Sequence, residues 1–142
     1  MFQILRMEQI VLKVLDFDVS VPTSHEFVKH YCQMFNMDDK TLHLAQYINE
    51  LSLLDGSTFL KFPASFVAAS SVVLARHTLG IEAWSDAMAE EAGYSLDDLK
   101  EIVVGLYEIF VAAPELDQQA IREKYNHFKF SNVADVSPLD IM

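Results

Sequence analysis

The stretch Ala64-Ser-Phe-Val-Ala-Ala-Ser-Ser-Val-Val-Leu-Ala-Arg-His-Thr-Leu79 carries no charge until Arg76. A helix that is apolar on every side has no face to offer water, so it must be surrounded by other helices. Ala64, Ala68, Ala69, Ser70, Ser71 and Ala75 are small enough to let those neighbours approach closely. Pro63 fits the first helical turn, where its missing N–H would have no partner, and Gly80 supplies a left-handed stop. The segment reads as the hub of an all-helical domain.

The rest of the chain has the punctuation that such a hub requires. Glycine and proline number four each, and they fall between apolar periodic segments instead of inside them. Phe2 to Leu15 reads as a helix whose apolar positions exceed one stripe, which predicts contact on two sides. The link from Asp16 to Pro22 alternates apolar and polar residues and reads as extended. Thr23-Ser-His-Glu26 is a capping box for a helix that turns Phe27, Val28, Tyr31 and Met34 inward. Asp38 or Asp39 caps the next helix, with Leu42, Ala45, Ile48, Leu51 and Ser52 at three-four spacing and Gly56 as its end. Beyond the hub, a short helix from about Glu82 to Glu91 carries Trp84 and Met88 and stops at Gly93. Ser95-Leu-Asp-Asp98 opens another, with Leu96, Leu99, Ile102, Val103, Leu106 and Phe110 on one face and Pro114 at its end. A last, mostly polar helix runs from about Asp117 to Tyr125, and residues 128–142 read as an ordered strip followed by a loose tail.

Composition limits the possible functions. At 142 residues the chain suits one domain with one core, and its 51% hydrophobic content is ample for burial. No apolar run reaches the roughly 18 residues of a membrane span, and residues 1–6 lack the order of a signal peptide. The single Cys32 gives no disulfide framework, so a reducing compartment is expected. A net charge of −11 repels nucleic-acid phosphates and anionic lipid at long range and favours basic partner surfaces. No catalytic centre is evident. His25, His30, His43, His77 and His127 have no metal-ligand spacing, and Cys32 has no orienting base on its own helix face. Glu90-Glu91 and Asp97-Asp98 read as a solvated face and a cap. No glycine-rich phosphate loop is present, and neither a metal nor a cofactor is expected.

Several strings, in order along nearly the whole chain, resemble the A- and B-type cyclins. Arg6 to Thr23 resembles the join between the two helical repeats of that family, and Glu50-Leu-Ser-Leu-Leu-Asp55 the end of the second helix of its second repeat. Trp84 with Gly93-Tyr-Ser-Leu-Asp-Asp-Leu-Lys100 is similar to the fourth-to-fifth helix join, and Arg122-Glu-Lys-Tyr125 to the C-terminal signature. Lys61-Phe-Pro-Ala-Ser65 is closer to the B type, whereas Arg122–Tyr125 points to the A type. The resemblance implies a cyclin box of five helices around a central apolar helix, preceded by one extra helix. Residues 1–19 would be the last helix of a first box plus a linker, 20–130 the C-terminal box and 131–142 a tail.

In function, the resemblance implies a regulatory subunit of a cyclin-dependent kinase, active in cell-cycle progression in the nucleus and cytoplasm. Glu8, Gln9, Leu12, Phe17 and Val19 fall at its kinase-binding positions, and the first-box lysine that pairs with Glu8 has no counterpart here. This stretch alone is therefore expected not to activate a kinase. An exposed charge at Glu8, and interior packing of Leu12, Phe17 and Val19, are the plainer readings. Self-association through the first helix is a second functional reading. A DNA-binding cyclin-fold module is a third, disfavoured because the ten lysines and arginines are scattered.

Overall fold

A computed structural model describes residues 2–141. The elements in order are α1 (Phe2–Val14), α2 (Ser24–Met34), α3 (Asp39–Leu51), the single turn α4 (Gly56–Phe59), α5 (Ala64–Thr78), α6 (Asp86–Ala92), α7 (Leu96–Ala112) and α8 (Ala120–Tyr125). Short 3-10 turns join several of them, and no strand forms among the described residues.

The apolar stretch that begins at Ala64 is the hub. α5 packs against α2, α3 and α7, and ten of its fifteen residues are buried. Its serines do not leave polar atoms stranded there. The Ser70 hydroxyl donates to the Phe66 carbonyl at 3.0 Å and that of Ser71 to Val67 at 2.8 Å, each one turn back along the helix. After Leu79 the chain turns left-handed at Gly80, with φ +70°. The Gly80 N–H then donates to His77 and the Ile81 N–H to Arg76, both at 2.9 Å, which is the two-bond Schellman ending.

Local capping chemistry sets where the surrounding helices begin. The Thr23 hydroxyl accepts the Glu26 N–H at 3.3 Å, but Glu26 pairs with Lys29 instead of reaching back, so only half of the expected capping box forms. Asp38, not Asp39, caps α3 by accepting the Thr41 N–H at 2.9 Å. At α7 the box is complete: Ser95 accepts from Asp98, and the Asp98 carboxylate takes both the Ser95 N–H and hydroxyl. Gly56 does not end α3. That helix passes into a 3-10 turn at Ser52–Leu54, Asp55 caps α4, and Gly56 is the first residue of α4. The helix expected from Glu82 begins at Asp86 under a Ser85 cap. Trp84 lies before it, buried edge-on against Tyr31 and Phe35.

Two pairs of the strings that carry the family resemblance meet in space. Lys124, in Arg122–Tyr125, pairs with Glu50, at the start of Glu50–Asp55, through both carboxylate oxygens at 2.8 Å. The Trp84 indole N–H donates to the Tyr94 carbonyl at 2.9 Å. Tyr125 itself is buried against Tyr47, which meets Phe110 of α7 edge-on. These strings form the joints of the domain.

Three expectations about faces are corrected. Met34 and Leu96, placed inward by helical spacing, are exposed. The ordered strip expected after residue 128 is present, with Val133 and Ala134 buried, but it gives way to no loose tail among the described residues: Asp140 is held from two helices and Ile141 packs on the core. A boundary at residue 131 therefore cuts through packed structure. Third, α1 buries none of its residues and makes no extensive contact with the other helices, so the contact on two sides is not present here.

Candidate partner-binding surface

α1 is built from good helix formers, with Gln, Leu, Arg, Met, Glu and Lys among its thirteen residues, and Lys13 sits in the last turn where the helix dipole favours a cation. Its end lacks a glycine. Asp16 takes φ +49°, its N–H bonding Lys13 at 3.2 Å while the Phe17 N–H bonds Leu12 at 2.8 Å, another Schellman ending. Phe17 is also left-handed, at φ +57°. The Asp16–Pro22 link is therefore a tight turn before it is extended, because these bonds outweigh the local preference for β geometry.

Asp tolerates a left-handed backbone, since its short polar side chain suffers little there. A bulky aromatic does not, and such an outlier costs of order 1–3 kcal/mol. That cost is not recovered by burial: Phe17 is 65% exposed and Val19 58%. Interior packing, the plainer reading of these two residues, does not hold.

Glu8 and Leu12 lie one turn apart and share a face. The Phe17 N–H bond to the Leu12 carbonyl ties the turn to the same end of the helix. Gln9 lies roughly 100° farther round, on the side of Lys13. Leu12 is half-buried and the other four are exposed. Among the described residues, the side chains of Glu8 and Gln9 enter no ion pair or hydrogen bond. The surface also extends beyond the five expected residues, with Ile4, Met7, Val14, Leu15 and Val21 all exposed. Their apolar character was visible in the sequence, but nothing in it showed that the domain would leave them uncovered.

The remaining reactive groups do not form a second site: Cys32 is buried, and three of the five histidines have hydrogen-bond partners. Burial pushes the Cys32 thiol up to about 12, which suppresses the thiolate a nucleophile needs. His43 hydrogen-bonds the Ser131 hydroxyl, His77 the Asp140 carbonyl, and His127 accepts the Lys129 N–H. His25 is held below its ordinary value by burial and by Lys29. No cluster of three or more His, Cys, Asp or Glu converges among the described residues. What this geometry offers chemically is a contact surface made of one carboxylate, one amide and a set of apolar side chains.

Residues 22–139 match the family model of the cyclin C-terminal domain. The chain belongs to the cyclin family. Among its relatives, the G2/mitotic-specific cyclin-A of Drosophila melanogaster is 41% identical over 98% of this chain and 28% of its own length. That of Patella vulgata is 42% identical over 96% of the chain and 32% of its own, and the Xenopus laevis cyclin-A2 38% over 99% and 34%. The chain thus spans about a third or less of the length of these A-type cyclins, and α1 lies before the matched C-terminal domain. The relatives resolve the mixed A- and B-type signals of Lys61–Ser65 and Arg122–Tyr125 in favour of the A type.

Proposed function

We propose that this cyclin C-terminal domain is part of a regulatory subunit that binds a cyclin-dependent kinase in the nucleus and cytoplasm, and that α1 with its turn is the part that faces the kinase. One observation carries the reading: Phe17 is held in a left-handed conformation by a backbone bond to Leu12, with its side chain left in solvent at the end of the helix that carries Glu8 and Leu12. Backbone strain that displays an apolar ring instead of burying it is explained by a partner that receives the ring. Glu8 supplies an unpaired acceptor, Gln9 an amide, and Leu12 and Val19 the apolar rim. Residues 1–19 are read as the closing helix and linker of the first box, ahead of the C-terminal box.

A patch of this size buries far less than the roughly 1,200 Å² of a stable specific interface. Binding by the chain alone is therefore weak, and stimulation of the kinase absent. Pull-down of a purified monomeric cyclin-dependent kinase, with histone phosphorylation measured in parallel, tests both parts. Weak capture that Phe17→Ala abolishes, without stimulation, is expected. Capture untouched by Phe17→Ala, or stimulation equal to that of a whole A-type cyclin, contradicts the reading.

A second reading rests on the same helix. Ile4, Met7, Val11 and Val14 form an exposed apolar stripe. Burying each such side chain is worth roughly 1.5–3 kcal/mol, so association of copies through α1 is the alternative use of this surface.

A further inference from the structure

The chain has four prolines, and only Pro138 follows a hydroxyl-bearing residue, Ser137. Both lie beyond the last 3-10 turn, Val133–Asp135, on a stretch that begins extended at Val136, with φ −73° and ψ 123°. The residue before a proline is itself driven toward extended backbone, and the proline ring fixes its own φ. Ser137 is exposed, and among the described residues no hydrogen bond engages Ser137, Pro138 or Leu139. Its hydroxyl is therefore displayed on extended chain with no structural duty of its own.

Ser137 and Pro138 line a cleft of about 160 Å³ together with Arg122 of α8, Asp135, Tyr47 and Phe110. Arg122 brings a cation to this cleft that its neighbours leave underused. Its Nε is buried and has no hydrogen-bond partner. Its ion pair, from Nη2 to Oδ1 of Asp135, is 3.7 Å long, beyond hydrogen-bond length. Asp135 does not depend on that pair. With its amide oriented to satisfy its donors, Asn126 gives an N–H to each Asp135 carboxylate oxygen, at 3.2 and 2.6 Å. A guanidinium holds its donors in a rigid fork that matches the oxygens of a phosphate, and a buried donor without a partner costs free energy that an acceptor would recover.

We propose that Ser137 is a phosphorylation site for a proline-directed protein kinase, and that its phosphate pairs with Arg122 in this cleft and latches the C-terminal strip to α8. In the transfer, Ser137 Oγ forms the new bond to the γ-phosphorus of ATP while the bond from that phosphorus to the β,γ-bridging oxygen breaks. ADP leaves, and the hydroxyl proton passes to the base of the kinase. The phosphate brings a charge of about −1.5 to −2 at pH 7 and three acceptor oxygens. Asp135 repels it, but Asp135 is already engaged by Asn126, whereas the guanidinium has donors to give, so the contact with Arg122 decides the sign. The site lies on the box, and neither α1 nor its turn enters into it.

The full chain is incubated with an active proline-directed kinase and ATP, and the incorporated phosphate is located by mass spectrometry. One phosphate at Ser137, lost in Ser137→Ala, is expected. The thermal midpoint of the phosphorylated chain should then rise by roughly 2–4 °C, and the rise should vanish in Arg122→Gln. Phosphorus NMR of the phosphorylated chain supplies a reading that needs no variant at Arg122. The second ionisation of the phosphate should lie below its ordinary value near 6, because a contacting guanidinium favours the dianion. No incorporation at Ser137, an unchanged midpoint, a rise that persists in Arg122→Gln, or an ionisation at or above about 6 overturns the proposal.

Discussion

Single residues decide where this chain turns, and glycine is only one of the residue types that do so. Asp16, Asn36 and Gly80 each follow a helix with positive φ and support the same pair of C-terminal bonds. Asn36 does so for α2, with the Met37 N–H bonding Cys32 at 2.8 Å. Gly80 and Gly93 are readable as stops from sequence because glycine is free in the left-handed region. Asp16 and Asn36 are not, because a residue that merely tolerates that region takes it only when the turn's bonds and the following chain require it. Asn36→Ala should therefore destabilise the domain by about 1 kcal/mol, the cost of a left-handed backbone for an ordinary side chain. Chemical denaturation of the two proteins is the check, and an unchanged midpoint would show that the turn bears no strain. At the candidate surface the identities of Glu8, Gln9, Leu12, Phe17 and Val19 were legible, but Phe17's left-handed backbone was not. It depends on the Asp16 turn, which nothing in the alternating Asp16–Pro22 pattern announces.

At the scale of elements, α5 and the caps make opposite demands on sequence. α5 tolerates only small residues where its neighbours approach, and Ala68 and Ala69 are wholly buried. Ala68→Leu or Ala69→Leu adds methylenes that must displace α2, α3 or α7, at roughly 1–3 kcal/mol. Thermal melts should show lower midpoints for both; unchanged midpoints would place α5 at the periphery. The caps act through hydrogen bonds and charge. Asp38 is held below the usual carboxylate range first by its bonds to Thr41, Asp55 by those to Ser57 and Thr58, and Asp98 by those to Ser95. A depressed carboxylate binds fewer protons in the folded state than in the unfolded one. Its stabilisation is present above the unfolded value near pH 4 and is lost as pH falls through the lower folded value. Ser95→Ala should cost about 1 kcal/mol at neutral pH, and its stability should fall less steeply than that of the unaltered chain below about pH 4. Denaturation at pH 7, 4 and 2.5 tests this, and an equal loss of stability for both proteins at low pH would remove Asp98 from the account. Cap positions were legible because they need one polar side chain at a fixed offset. The outward turn of Met34 and Leu96 was not, because both satisfy helical spacing and only the placement of neighbouring helices decides which edge of the stripe is covered.

At the scale of the whole molecule, the two ends of the chain behave differently. The C-terminal segment is bound back through Asp140 to His77 and Tyr107, which are distant in sequence, so no local pattern could reveal it. The N-terminal helix stands off the domain with its apolar residues in solvent. The second reading of α1 predicts that the chain associates as concentration rises, and that a version beginning at Ser20 does not. Sedimentation equilibrium on both distinguishes this from association through another surface, in which case the two would behave alike. The helical hub, its neighbours and the family were legible because they rest on periodicity and on ordered strings. The use of α1 depends on what covers it, and that lies beyond the domain's own packing. Hydrogen exchange of the full chain, with and without a saturating monomeric cyclin-dependent kinase, bears most directly on the central claim. The prediction is slowed exchange over residues 8–19, with α3 and α8 unchanged. Protection confined to the box, or none anywhere at saturation, would contradict it.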